Sequence, residues 1–303
     1  MGYLLPADVR GLIGQGMVVN TDNLALLFQR YLPERVTTEE GIHQFDSQYV
    51  HEHLKRVAEA WNGRLNNSRI QRDAKAFRDR HVSAIRSAAT AEGSRSCVLT
   101  ITAKSRLAVG LGSASAYENG LALHHILGLP YIPGSSIKGI VLNWLLERKN
   151  WDELGNRAGI DPEDWDRVVV PVFGTQEAQG LACFWDALPS RPPKLEVDIM
   201  NPHYDEYYQE PPNSRNPTKL PGDWYQPVPV FFMTVAPGAE FDAVITLRRR
   251  SDANGPGDGL MNELSEHLMH WVKSALEDWG VGAKTRKGYG QVSVSWRQDP
   301  TCR

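Results

Sequence analysis

Apolar residues recur along this chain with two periods, and the change from one to the other falls close to residue 95. Leu24, Leu27 and Phe28 follow helical spacing between Asn23 and Tyr31, and Pro33 ends that segment. Two more helices are predicted over Asp46 to Trp61 and Ile70 to Ala91, after which Glu92-Gly93-Ser94 stops the pattern. Cys97, Leu99, Ile101 and Ala103 then alternate with Val98, Thr100, Thr102 and Lys104, the period of a strand with one mostly polar face. Gly110, Gly112 and Gly120 punctuate the following stretch, and Leu121 to Ile132 supplies short extended pieces closed by Pro130 and Pro133.

Pro133-Gly134-Ser135-Ser136 reads as a turn with an N-cap, because Ile137, Ile140, Val141, Trp144 and Leu145 then lie on one helical face. A shorter helix is predicted between Asp161 and Phe173, with Gly174 at its end. Leu181 to Ala187, Leu195 to Met200, Val228 to Val235 and Phe241 to Leu247 read as strands. The proline-laden segment Asn201 to Pro227 reads as a long surface loop with a partner-contacting role. Leu264, Leu268, Trp271, Val272, Ala275 and Trp279 define a last amphipathic helix, which passes through a glycine-rich loop into the strand Gln291 to Trp296. The order strand, helix, strands, helix, strand suits an α+β fold of ferredoxin-like type, a framework also used by RNA-recognition modules. The predicted organisation is a helical N-terminal region over residues 1–95 and a ferredoxin-like domain over 96–303, with a proline-rich insertion around 201–227.

Composition narrows the class of protein. In 303 residues, 41% hydrophobic and 23% charged residues are ordinary globular usage, which excludes disordered and fibrous chains. No run of about 18 apolar residues exists, and the first residues lack the basic-then-apolar order of a signal peptide, so a cytoplasmic address and no membrane partner are expected. Cys97, Cys183 and Cys302 have no CxxC or CxxH spacing and give no zinc site and no disulfide framework. A net charge of −3 does not advertise nucleic acid, but the charge is partitioned: Lys284, Arg286 and Lys287 fall within four positions, and seven basic residues between Arg64 and Arg86 face only Asp73 and Asp79. Those arginines fit either an RNA-facing helix or an ordinary solvated one.

The segment Gly280 to Gly290 carries the most chemistry. Gly282 and Gly288 free backbone amides, Thr285 adds a hydroxyl, Lys284, Arg286 and Lys287 add charge, and Tyr289 adds a ring that can stack. The alternative is a helix C-cap followed by a basic hairpin. Nucleotide hydrolysis is excluded by polarity: a phosphate-cradling loop runs from strand to helix N-terminus, whereas here a helix precedes the loop and a strand follows. A second anion-binding element is Gly134-Ser135-Ser136 with Lys138 at a helix N-terminus, against the alternative of a simple serine cap.

These motifs carry a resemblance. Tyr131-Ile132-Pro133-Gly134-Ser135-Ser136-Ile137-Lys138-Gly139 followed by Gly280 to Gly290 resembles the RAMP superfamily of CRISPR proteins. Gly110-Leu111-Gly112, Tyr117 to Leu121, His124-His125, Gly128 to Gly134, Asp198 to Tyr204 and the N-terminal Asn23 to Leu27 are similar, more narrowly, to the family of sixth Cmr subunits of type III-B complexes. The resemblance implies a RAMP domain in a multisubunit RNA-guided complex, with guide RNA, target RNA and other Cmr subunits as partners. It also implies a place near the 3′ side of the guide, no cofactor and no small-molecule substrate. The RNA-binding residues expected on that basis are Gly134, Ser135, Ser136, Lys138, Gly282, Lys284, Thr285, Arg286, Lys287, Gly288 and Tyr289, with Arg106, His124 and His125 as further contacts.

Catalysis is tested against the same resemblance. Target-cutting backbone subunits carry an Asp in the loop after the first strand, yet between Ala108 and Pro133 the only acidic residue here is Glu118, which fits a turn. The chain is therefore expected not to be an enzyme and to hold no metal. The alternative is a metal-independent guide-processing endoribonuclease with His124 or His125 as acid or base; on a strand these neighbours point to opposite faces, so one at most would face RNA. His43, His51 and His53 have no Cys partners and are expected at the surface.

Overall fold

A computed structural model describes residues 21–30, 36–37, 43–44, 47–149 save 114, 116 and 118, 164–202, 207, 220, 224, 227–249 and 257–297. A helical turn ending in the π-type segment Leu26–Arg30 is the first described element, and there Asn23 accepts from the Leu26 amide at 3.2 Å. Helices α1 (Ser47–Asn62) and α2 (Ser68–Ala91) follow. Asn67 caps α2 by accepting from the Arg69 amide at 2.9 Å, and Gly93, at φ 67°, ends it with a backbone bend.

Strand β1 (Arg95–Ala103) begins the sheet. Helices α3 (Gly134–Lys149) and α4 (Trp165–Phe173) come next, then the short strands β2 (Ala182–Phe184) and β3 (Leu188–Pro189). The predicted single strand from Leu181 to Ala187 is thus broken at Trp185-Asp186. The remaining elements are β4 (Leu195–Met200), β5 (Val230–Val235), β6 (Glu240–Leu247), α5 (Asp258–Trp279) and β7 (Val292–Trp296). The start of the short helix predicted from Asp161 and most of the proline-rich loop lie outside the described residues.

The main sheet is antiparallel in the order β2, β6, β1, β7, with β3 also on β6. β4 and β5 leave it and pair with each other as a two-stranded sheet, Leu195 opposite Val235. Every second residue of β1 and β6 faces α3 and α5: Leu99 pairs with Ala243 and Ile101 with Phe241, all buried. Trp144 and Trp271 are fully buried in that layer, and each aromatic side chain of that size removes about 150–250 Å² from water. The Trp144 indole donates to Asp278 at 2.9 Å, so its polar edge is satisfied as well. Residues of the N-terminal helices, Leu54, Trp61 and Ile70 among them, belong to the same continuous apolar cluster as the sheet.

The polar face expected for β1 is covered rather than solvated. α2 lies across it, with Ile85 and Val82 on Val98 and Val244. Beside them Asp242, 1% exposed, accepts from the Thr100 hydroxyl at 2.7 Å and pairs with Arg78 at 3.1 Å and Arg297 at 2.5 Å. Arg78 is itself buried, so this arginine of the basic helix fastens the helix to the sheet; a solvated surface reading fails for it because its charge is matched inside. α1 is held to the β4–β5 pair by a reciprocal bond, Leu195 N–H to Asn62 Oδ1 at 2.9 Å and Asn62 Nδ2 to Leu195 O at 2.8 Å.

Two expectations about single residues are corrected. His53 is buried, stacked 5.5 Å from Tyr117, because α1 turns it inward with Leu54 and Val57. Cys97 is disulfide-bonded, which three widely spaced cysteines cannot reveal from sequence, while Cys183 is a free thiol. No described helix is long and apolar enough to cross a membrane.

Candidate functional site

The glycine loop connects α5 to β7 at the end of the sheet where β1 finishes. Gly280, at φ 75°, ends α5, and the Val281 amide donates to Gly290 O at 2.8 Å, closing the loop at its neck. Two more backbone bonds tie it to the segment after β1: Gly290 N–H to Arg106 O and Ala283 N–H to Ala108 O, each 2.7 Å. Gly282 is required where it stands, since its φ is 88° and a Cβ would sit 2.4 Å from Ala108 O.

The basic residues occupy the tip. Lys284 adopts a left-handed conformation at φ 60°, Thr285–Lys287 make one 3₁₀ turn, and Gly288 at φ 91° reverses the chain. That geometry turns Arg286 and Lys287 outward; both are exposed, and neither makes an ion pair with a described residue. Lys284 is held back, its ammonium 5.8 Å from the ring centre of Phe232 on β5, a cation–π contact.

Tyr289 joins the loop to the β4–β5 pair. Its hydroxyl donates to Asp198 at 2.7 Å, and its ring lies 5.9 Å from Phe232. Arg106 donates to the same Asp198 oxygen at 2.7 Å and to Glu196 at 2.9 Å. Burial works to raise the Asp198 carboxyl, but hydrogen bonds from Tyr289, the Ile199 amide and Arg106 together hold it below the usual carboxylate range. Burial, and then the bond to Asp198, push the Tyr289 phenol up to about 12. Tyr289 and Arg106 therefore brace the loop against the two-stranded sheet. Glu196, Asp198 and Phe232 were not among the expected site residues, because their proximity is set by the pairing of β4 with β5 and not by any local motif.

The serine turn is built elsewhere. Gly134 is buried, its amide donates to Asp186 at 2.8 Å, and a Cβ there would stand 2.1 Å from Phe184 O. Ser135 is exposed and Ser136 half-buried. Lys138 donates to Phe173 O at 2.9 Å, capping the last turn of α4, so its charge is engaged by a helix C-terminus and not presented with the loop cations. The turn packs on the β2–β3 edge while the glycine loop is tied to the β1–β7 side. Three strand spacings of roughly 4.8 Å separate those edges, about 14 Å in all. The two motifs are separate surfaces.

His124 and His125 lie on a turn and not on a strand, because Gly128 at φ 63° lets its amide return to His124 O at 2.7 Å. The adjacent imidazoles consequently stack, 4.8 Å apart and 21° from parallel, instead of pointing to opposite faces. His124 Nδ1 accepts from the amides of Ile126 and Leu127 at 3.3 and 3.4 Å. Burial, then His125, lowers its pKa. Glu118 lies outside the described residues.

Comparison with known proteins gives a consistent picture. The model of the RAMP superfamily matches residues 100–293. The Cmr6 subunit of the CRISPR system of Pyrococcus furiosus is 34% identical over 237 residues, 62% of this chain and 65% of that protein. The corresponding subunit of Saccharolobus solfataricus is 28% identical over 200 residues, 64% of this chain and 56% of that protein. The chain thus spans less than two thirds of the length of these curated relatives. A chain in the cryo-EM structure of the type III-B Cmr-beta bound to cognate target RNA shares the fold, with a TM-score of 0.55 and 21% identity over 84% of this chain and 76% of that one.

Proposed function

This chain belongs to the RAMP superfamily, and from that premise we propose that it is a non-catalytic RNA-binding subunit of a type III-B CRISPR (Cmr) effector complex. Its place is near the 3′ end of the guide, where it holds the backbone of the guide RNA or of the guide–target duplex. Two relatives, both Cmr6 subunits, support the assembly, and the cognate target RNA bound by the Cmr-beta complex, one chain of which shares this fold, supports RNA as a partner. We read the strand order β2, β6, β1, β7 as a ferredoxin-like sheet carrying the β4–β5 pair as an insertion. The face such sheets offer to single-stranded RNA is occupied here by α2, which leaves the loops to make contact.

The observation that carries the reading is the braced tip of the glycine loop. Arg286 and Lys287 point outward without an ion pair to a described residue, on a segment fixed by three backbone bonds and the Tyr289–Asp198 strut. Fixed cations at a braced tip bind phosphate without reading base identity, the division of labour expected when a guide reads sequence. The Gly288 amide, expected to be free, instead donates to Thr285 O at 3.0 Å because the 3₁₀ turn closes on it. Guide RNA retained by an assembled complex carrying Lys284→Ala, Arg286→Ala and Lys287→Ala should fall relative to the unaltered complex. Undiminished retention would remove the assignment.

A further inference from the structure

A second group of side chains meets at the β2–β3 edge, drawn from four separate stretches of sequence. His81 on α2 lies edge-on to Trp185, ring centres 6.4 Å apart. The stacked His124 and His125 adjoin them, and His124 meets Tyr131 edge-on at 5.7 Å. Asp186 stands among these rings: its charge acts on His81, His124 and Tyr131 alike, while one of its oxygens takes the Gly134 amide at 2.8 Å.

Packing does not account for this concentration. Trp185 is 40% exposed although its indole N–H is tied to Thr246 at 3.2 Å, so the ring is fixed and its surface open. His125 is exposed, and the buried Nε2 of His81 has no hydrogen-bond partner. Burial lowers the pKa of both His81 and His124, which keeps their rings neutral at physiological pH. His124 Nδ1 is an acceptor from two backbone amides, which leaves its proton on Nε2.

The chemistry of the ligand follows. The patch is built from one carboxylate and a set of rings, with no Lys or Arg among them, so a phosphate is not what it favours. No group of three metal-ligating side chains suited to an ion occurs among the described residues. Flat rings around a single acceptor suit a planar, uncharged heterocycle that brings N–H donors. We propose that His81, His124, His125, Tyr131 and Trp185 form a stacking site for one unpaired nucleobase of RNA, with Asp186 accepting from the donors on its Watson–Crick edge. Guanine presents two adjacent donors there, N1–H and the N2 amino group, and suits a carboxylate better than uracil does. The inference rests on the reading of the chain as RNA-binding, and it adds base recognition to a surface distinct from the phosphate-binding loop.

The test uses the full chain and three oligoribose phosphates of equal length, all abasic except for a single guanine, a single uracil or no base. Guanine should strengthen binding about tenfold over the abasic strand, the scale of one base–aromatic stack, and uracil less. Trp185→Ala and His125→Ala should each cut the guanine advantage several-fold and leave the salt dependence unchanged, while Asp186→Asn should shrink only the gap between guanine and uracil. If Trp185→Ala does not fold, the exposed His125→Ala decides. Failure of all three strands to bind would refute the RNA-binding reading itself. Equal binding of all three with normal salt dependence would leave that reading standing and overturn this one, as would a guanine advantage that survives His125→Ala.

Discussion

Asp242→Ala is the perturbation that tests how the sheet face is closed. The carboxylate is 1% exposed and serves three donors: Arg78, Arg297 and the Thr100 hydroxyl. Removing it strands the guanidinium of Arg78, which is 8% exposed, between α2 and the sheet. Breaking a buried ion pair from one side costs about 3–5 kcal/mol, because the surviving charge stays desolvated. Arg78 retains Asp79 at 2.6 Å, a partner whose own side chain is 45% exposed, which moves the expected loss to the lower end, about 3 kcal/mol. Urea unfolding followed by tryptophan fluorescence reads this directly as a lower midpoint with little change in slope. The double variant Arg78→Met with Asp242→Ala removes the stranded charge and should recover part of the loss, a coupling that additive effects would not give. A loss below about 1 kcal/mol in Asp242→Ala would refute the claim that α2 is clamped over the sheet by this pair.

Three further outcomes are expected. Burial, and then Arg56, lower His53 to about 4, so it is neutral when folded and takes up a proton near pH 6.5 when unfolded. The unfolded chain binds the extra proton between those values, so the stability His53 confers is fully present above pH 6.5 and is lost as pH falls toward 4, by about 3 kcal/mol; His53→Gln should flatten that part of the profile. Gly282→Ala should cost about 1–3 kcal/mol in thermal unfolding through its positive φ, with the contact to Ala108 O adding to it, whereas Gly288→Ala, with open space around its Cβ position, should cost less. Purified chain incubated with repeat RNA in EDTA should produce no site-specific cuts; cuts abolished by His124→Ala or His125→Ala would establish an endoribonuclease instead.

Much of the architecture was legible in the sequence because it is written in periodicity. The strand alternation from Cys97 to Ala103 and the apolar faces of α3 and α5 reflect burial against a single core, and burial is what hydrophobic spacing records. What escaped depends on contacts between distant segments. The apparently polar face of β1 is a docking surface because Ile85 and Val82 of α2 pack on Val98 and Val244 there and Arg78, well upstream, brings a charge to Asp242. The turn at His124 hangs on the conformation of Gly128, whose missing side chain leaves room for Asn23; a Cβ there would lie 2.1 Å from the Asn23 side-chain carbonyl. Lys138 looked like a phosphate ligand because a lysine beside Gly-Ser-Ser is locally ambiguous, and only the position of the α4 C-terminus shows where its charge goes. The glycine loop was legible as a loop, while its brace was not, since Asp198 and Phe232 reach it through strand pairing.

The central claim is that the loop tip neutralises RNA phosphates, and its most direct test is the salt dependence of single-stranded RNA binding by the purified chain. Each phosphate contact contributes about 0.7 to the slope of log affinity against log salt. Lys284→Ala with Arg286→Ala and Lys287→Ala should therefore weaken binding at low salt and reduce that slope by about 1.4, the share of the two outward cations Arg286 and Lys287. A slope and affinity unchanged from the unaltered chain would contradict the account.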